Sequence, residues 1–143
     1  MVRTRWSGVL RVLAVVSVAA VPAFATPDGA ERSVLAEAGR IEYLHYCASC
    51  HGSLGRGDGP VGLMLRRRPA DLTKIAAQRG AAFPAGEIAA YIDGRTSVTA
   101  HGTREMPVWG TRLGEGIQPD TAEEVTRGRI AFLVEYLKTI QRP

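Results

Sequence analysis

The sequence has little of several residue types, and each shortage excludes a class of protein. Only two of the 143 residues are cysteine, too few for a fold held together by several disulfides. Aromatic residues make up only 6% of the chain, and no apolar run approaches the roughly 20 residues that a membrane-spanning helix needs. Hydrophobic residues still account for 45% and charged residues for 22%, which excludes a disordered chain. The length suits one globular domain.

The excess of positive charge lies mostly in the first 25 residues. The net charge is +4, but residues 1–25 contain three arginines and no acidic residue. The remaining residues contain fifteen basic and fourteen acidic side chains. Because a nucleic-acid-binding domain concentrates basic residues on one face, and this balance gives no sign of one, we expect no nucleic-acid partner.

The N-terminal segment has the pattern of a secretory signal peptide. Residues 1–11 are basic, residues 12–21 are apolar, and Ala23 and Ala25 are the small residues that a signal peptidase recognises. The apolar stretch is about half the length of a membrane span. We therefore expect cleavage after Ala25, with residues 26–143 exported to the periplasm as one domain. The alternative is an uncleaved segment that tethers the protein to the membrane.

Two segments show the apolar spacing of amphipathic helices. Residues 33–46 predict one such helix, with Ser33 as its N-cap. Residues 121–140 predict another, in which Thr121 and Glu124 have the spacing of a capping box.

Short helices and long irregular segments account for the rest of the chain. Residues 71–79 and 86–93 predict short helices, whereas residues 52–62 and 95–116 are rich in glycine and irregular. No segment shows the alternation of a strand, so the predicted fold class is all-α with long loops. Loops of this length are uncommon unless something orders them, and a buried cofactor would do so.

The chemistry is concentrated in one short motif, Cys47-Ala-Ser-Cys50-His51. This is the Cys-x-x-Cys-His sequence to which haem c is attached. Two cysteines three residues apart at the end of a helix can each bond one vinyl group of the same porphyrin. The histidine that follows is then placed to approach the iron along its axis.

Other chemistry could use the same two cysteines. A thiol redox pair would need a βαβ context, which is not visible here. A structural zinc site usually has four ligands, whereas Cys47, Cys50 and His51 provide three. A disulfide is a further alternative in an oxidising compartment. Haem attachment is favoured because the motif, the export signal and the helical, loop-rich pattern agree.

The sequence resembles the class I c-type cytochromes, in particular the small bacterial periplasmic ones. The resemblance covers essentially all of residues 26–143. Gly39 and Tyr43 match the N-terminal helix pattern of the family, and residues 133–138 (LVEYLK) match its C-terminal helix. Residues 55–60 (GRGDGP) resemble the loop after the haem motif, and residues 105–110 (EMPVWG) resemble the segment with the second axial ligand.

The resemblance implies a cytochrome c fold, with three to five helices and long loops wrapped around one covalently bound haem. In that family the first and last helices cross closely. This would explain Gly39, which costs about 1 kcal/mol relative to alanine inside a helix.

The resemblance also implies the sixth iron ligand. Residues 26–143 contain two methionines, of which Met106 lies in the matching segment, while Met64 has leucine neighbours and is predicted to be a core residue. His101 is the alternative ligand, but is more simply a surface residue of a loop. The second ring nitrogen of His51 is expected to donate to a backbone carbonyl, and the family suggests that of Pro60.

Several other residues are candidates for contact with the cofactor. Trp109, Tyr91 and Phe83 would line the haem, although they would serve equally as ordinary core aromatics. Arg104 or Arg95 would pair with a haem propionate, and the sequence does not choose between them.

The strongest local charge in residues 26–143 is the run Arg66, Arg67 and Arg68. Such a run is either a solvated surface or a docking patch that attracts an acidic redox partner by electrostatic steering.

Ligation of the iron by His51 and Met106 would imply a function in electron transfer. It fills both axial positions of the iron and raises the reduction potential. An iron without an open position suits one-electron transfer rather than catalysis. The expected protein is therefore a monomeric periplasmic electron carrier, not an enzyme, whose partners are periplasmic or membrane-bound redox proteins. The alternatives are a subunit tied to one dehydrogenase or oxidase, a haem-based sensor, and a thiol oxidoreductase without haem.

Overall fold

The computed structural model describes residues 27–95 and 106–143, and within these ranges the regular structure is entirely helical. The predicted all-α class is confirmed at that level. The α-helices are α1 (Pro27–Tyr46), α2 (Ala48–His51), α3 (Ile75–Gln78), α4 (Ala85–Asp93), α5 (Trp109–Arg112) and α6 (Pro119–Thr139). Two 3₁₀ turns span Gly62–Met64 and Leu72–Lys74. The predicted signal segment lies outside the described residues.

Two of these helices are long, α1 with 20 residues and α6 with 21. α4 has nine residues, and the other three are four-residue turns. The short turns bring the number in the described ranges above the three to five predicted, because a single turn leaves no periodic pattern in the sequence. None of the helices in the described residues is long and apolar enough to cross a membrane.

The core forms where α1 crosses α6. The apolar stripe Ile130, Leu133, Val134 and Leu137 of α6 is buried, as its spacing predicts. Tyr43 of α1 is also buried in this core. The crossing is close because α1 presents Gly39, where a Cβ atom would lie only 1.9 Å from the carbonyl oxygen of Phe132.

Both long helices begin earlier than the sequence predicts. α1 starts at Pro27, so Ser33 lies inside the helix and is not its N-cap. α6 starts at Pro119, and the hydroxyl of Thr121 donates to the carbonyl of Gln118 instead of capping the helix. Proline is favoured in the first turn because its missing N–H is not needed there. The two predicted N-caps are therefore wrong, although the helices themselves are present.

The shorter helices lie close to their predicted positions. α4 ends at Asp93, the last residue of the predicted helix 86–93, and Gly94 is its C-cap. The predicted helix over residues 71–79 is divided into the 3₁₀ turn Leu72–Lys74 and α3. Asp71 begins it, because its carboxylate accepts from the Thr73 amide at 3.0 Å.

The glycine-rich loop folds back over α2. The amide of Val61 donates to the carbonyl of Ser49 at 2.9 Å, and that of Gly59 donates to the carbonyl of Cys50 at 3.2 Å. The approach requires glycine, because a Cβ atom at Gly62 would lie 2.2 Å from the carbonyl oxygen of Cys50. This loop therefore holds the segment that carries the cysteine–histidine motif.

Candidate cofactor attachment site

The motif continues almost directly from α1. Cys47 follows the last residue of α1, and its amide donates to the carbonyl of Tyr43 at 2.9 Å. Cys50 and His51 lie in α2, where the amide of His51 donates to the carbonyl of Cys47 at 2.9 Å. The end of a long, packed helix thus positions all three residues.

Both cysteines are partly buried free thiols. Burial raises the pKa of the Cys47 thiol to about 12. A thiol with such a pKa is protonated at neutral pH, whereas redox-active thiol pairs depend on a lowered pKa. The environment of Cys47 therefore disfavours the thiol oxidoreductase alternative.

His51 is oriented by the loop that follows it. Its Nδ1 donates to the carbonyl oxygen of Ala70 at 3.1 Å, which leaves Nε2 as the nitrogen available to a metal. Burial lowers the pKa of the imidazole, against a smaller opposing effect of this hydrogen bond. A neutral ring with a fixed tautomer is what metal ligation by histidine requires.

The predicted bond to a backbone carbonyl is present, but the predicted acceptor is wrong. Pro60 is exposed, and Ala70 occupies the place expected for it. Ala70 is the acceptor because the chain turns back towards His51 after Met64. The amide of Leu72 donates to the carbonyl of Gly55 at 2.7 Å, and this pairing brings Ala70 beside the ring of His51.

The two methionines have different environments. Met106 is partly buried and packs against the hydrophobic core. Met64 is 87% exposed, at the end of a surface 3₁₀ turn, so its predicted place in the core is wrong. Apolar neighbours in sequence did not bury Met64, because Leu63 and Leu65 are themselves exposed.

Trp109 lies beside the attachment segment. Its ring meets that of Tyr46 edge-on, with centroids 5.7 Å apart, and Tyr46 directly precedes Cys47. Phe83 also packs against the core, whereas Tyr91 is 42% exposed.

Of the two arginines predicted to pair with a haem propionate, the structure describes only Arg95. Arg95 already has two carboxylate partners, Asp93 and Glu123. Arg104 lies outside the described residues, as does His101, the alternative sixth ligand.

The donor set fits a haem better than a simple cation. Two thiols, a neutral imidazole and a partly buried thioether are the groups that attach and ligate haem iron. Within residues 27–95 and 106–143, no three His, Cys, Asp or Glu side chains converge to hold a metal ion.

An open groove of about 670 Å³ lies elsewhere, between α1 and α6. Its lining includes Arg32, Glu37, Arg40 and Tyr136 but no cysteine, histidine or methionine. The groove is therefore not part of the candidate site.

Two residues that contribute to this region were not predicted from the sequence. Ala70 acts only through its carbonyl, which has no sequence signature. Arg129 bridges Glu42, Tyr46 and Leu113, and two of these partners lie more than 80 residues away in the chain. No family model, curated protein or solved structure matches the chain.

Proposed function

We propose that this protein is an exported one-electron carrier with a cytochrome c fold. Haem c would be attached through Cys47 and Cys50 and ligated by His51 and Met106. The observation that carries the proposal is the environment of His51, a neutral imidazole whose Nδ1 is held by Ala70 beside two cysteines at haem-attachment spacing.

The residues of the candidate site would contribute to cofactor binding in different ways. The Ala70 carbonyl keeps Nε2 of His51 unprotonated and increases its basicity as a ligand. The glycine-rich loop binds the carbonyls of Ser49 and Cys50 and so limits movement of the motif. Met106, which packs against the hydrophobic core, would provide the second protein ligand of the iron. The bound haem would supply a one-electron iron couple.

Ligation by His51 and Met106 supports a carrier, not an enzyme. With His51 and Met106 both bound to the iron, no position would remain for a substrate, and little rearrangement of the protein would accompany a change in charge. The residues around the cofactor then contribute burial, orientation and a surface for partners. Those partners would be periplasmic or membrane-bound redox proteins, and a monomeric carrier would bind the electron donor and the electron acceptor one after the other.

The test is an optical spectrum of the exported protein, oxidised and reduced, for wild type, Met106→Ala and Met64→Ala. We expect a low-spin spectrum, and in the oxidised form a weak near-infrared band of the sulfur–iron bond. Met106→Ala should abolish that band. Met64→Ala is the matched control, because Met64 is 87% exposed, and it should leave the band unchanged.

Other outcomes would each contradict part of the proposal. A low-spin spectrum that is indifferent to Met106→Ala would assign the sixth ligand to another residue, such as His101. Carbon monoxide binding by the reduced wild type at neutral pH would favour a sensor. Absence of haem from protein made in a host that can attach it would exclude a cytochrome. It would favour a thiol oxidoreductase that uses Cys47 and Cys50.

A further inference from the structure

The guanidinium of Arg129 lies at the meeting point of three segments. It is on α6, and it forms a bidentate ion pair with Glu42 of α1, at 3.0 Å from Nε and 2.9 Å from Nη2. Only 23% of the Arg129 side chain and 20% of the Glu42 side chain is exposed. A pair this sheltered is less weakened by solvent than the more exposed ion pairs in the described part of the chain.

The same guanidinium also contacts the end of α1 and the residue that follows α5. Nη2 also donates to the hydroxyl of Tyr46 at 3.0 Å, and Tyr46 is the residue before Cys47. Nη1 donates to the carbonyl of Leu113 at 2.9 Å. Leu113 is fully buried, and its amide donates to the carbonyl of Trp109 at 2.9 Å.

The segment that ends at Leu113 is the one that begins with Met106. Trp109 lies within it, and its ring contacts Tyr46 edge-on. Arg129 therefore ties the Met106 segment to the end of α1 through two hydrogen bonds and the aromatic pair between them. Four of the five N–H donors of the guanidinium are used in this way, which leaves it little freedom.

We infer that Arg129 is a positioning residue, which holds residues 106–113 against the attachment motif and so sets how firmly Met106 binds the iron. The inference rests on the proposed function. The arginine itself touches neither His51 nor Met106 through any hydrogen bond, so it acts through Tyr46 and Leu113. Lysine could not replace it, because one ammonium cannot provide a planar fork to Glu42 and also reach both other partners.

The experiment compares the holoprotein with Arg129→Met, Arg129→Lys and a control, Arg127→Met. Arg127 is on the same helix, but 75% of its side chain is exposed and its ion pair with Glu123 is 3.6 Å long. The first measurement is the imidazole concentration that displaces Met106 from the oxidised protein, followed by loss of the near-infrared band. The second is hydrogen exchange of the amides in residues 106–113.

We expect imidazole to displace Met106 at about tenfold lower concentration in Arg129→Met, since hydrogen bonds to a charged group are worth a factor of that order. Arg129→Lys should fall between this variant and wild type, and Arg127→Met should match wild type. Exchange of the 106–113 amides should accelerate in Arg129→Met while the buried amides of α6 remain protected. Should Arg129→Met not accumulate, Tyr46→Phe removes one hydrogen bond and should shift both measurements in the same direction.

Equal imidazole midpoints for wild type and a folded Arg129→Met would overturn the inference, as would unchanged exchange in residues 106–113. A wild type that lacks the near-infrared band would instead contradict the proposed ligation by Met106. In that case hydrogen exchange still reports whether Arg129 holds the segment, so the two failures are distinguishable.

Discussion

At the scale of single residues, the environment of each side chain decides its role more than its identity does. Two methionines follow His51 in the chain, and a thioether is equally soft in both. Met64 is 87% exposed, whereas Met106 packs against the core. Burial and the neighbours of the segment therefore select Met106 as the candidate ligand.

Tyr43 is a second residue whose buried contacts define it. Its hydroxyl donates to the carbonyl of Gly52 at 2.6 Å, and its ring lies 5.1 Å from that of Tyr136. Tyr43 thus connects α1 to the residue that immediately follows His51. Burial raises the pKa of the phenol above its ordinary value of 10.0.

We predict that Tyr43→Phe lowers the free energy of unfolding by about 1–3 kcal/mol at neutral pH, because the buried carbonyl of Gly52 loses its donor. The raised pKa adds a pH dependence. Above pH 10 the folded state holds the phenolic proton more tightly than the unfolded state does, so this contribution to stability declines as the pH rises. Urea unfolding between pH 8 and pH 12 should show a shallower alkaline decline in Tyr43→Phe than in wild type. An identical decline would assign the pH dependence to other groups.

At the scale of elements, the crossing of α1 and α6 organises the molecule. The two helices approach closely because Gly39 has no Cβ, and the carbonyl of Phe132 occupies the space instead. The crossing buries the apolar stripe of α6 and sets the direction in which α1 delivers Cys47. A helix-weakening glycine is thus tolerated because it allows better packing.

We predict that Gly39→Ala destabilises the protein by about 1–3 kcal/mol, since the helices must separate to admit a methyl group. The matched control is Gly128→Ala on α6, where a Cβ atom would meet nothing within 4 Å. That variant should stabilise the protein by up to about 1 kcal/mol through helix propensity. Thermal unfolding followed by circular dichroism would compare them. A neutral Gly39→Ala would show that the crossing is looser than the structure indicates.

The glycine-rich loop is the other element on which the site depends. It has no regular structure beyond one 3₁₀ turn, yet it donates amides to the carbonyls of Ser49, Cys50 and His51. Hydrogen bonds between backbone groups, more than side-chain packing, thus fix the Cys47–His51 motif. Glycines recur in this loop because a Cβ atom would prevent the close approach to α2.

At the scale of the whole molecule, charge is distributed unevenly. Residues 54–74 contain five basic and two acidic side chains. The rest of the described residues contain nine basic and eleven acidic side chains. Arg66, Arg67 and Arg68 are all exposed, beside the exposed side chains of Leu63 and Met64. A positive surface of this kind attracts negatively charged partners.

We predict that replacing Arg66, Arg67 and Arg68 by glutamine slows electron transfer to an anionic oxidant by about tenfold at low ionic strength. The difference should shrink as salt rises, because screening weakens attraction between exposed charges. Stopped-flow oxidation by hexacyanoferrate(III) would measure it. Glutamine at Arg40, Arg112 and Arg127, which are exposed outside residues 54–74, removes the same number of positive charges and should have a smaller effect. Equal effects of the two triple variants would show that net charge, not the patch, controls the rate.

Features that depend on near neighbours in the chain could be predicted from the amino-acid sequence alone. The motif Cys47–His51 is local chemistry, the stripe of α6 repeats with the helical period, and the C-cap of α4 follows from one residue, Gly94. The starts of α1 and α6 were less predictable, because proline and the apparent caps were competing signals a few residues apart.

Contacts between distant segments could not be predicted from the sequence and are known only from the three-dimensional fold. His51 donates to Ala70, 19 residues away, and not to Pro60. Arg129 pairs with Glu42 across 87 residues, and Arg95 is bound to Glu123 across 28. Such partners depend on how loops return to the core, and a return path is set by the sum of many weak contacts, not by any motif in the sequence.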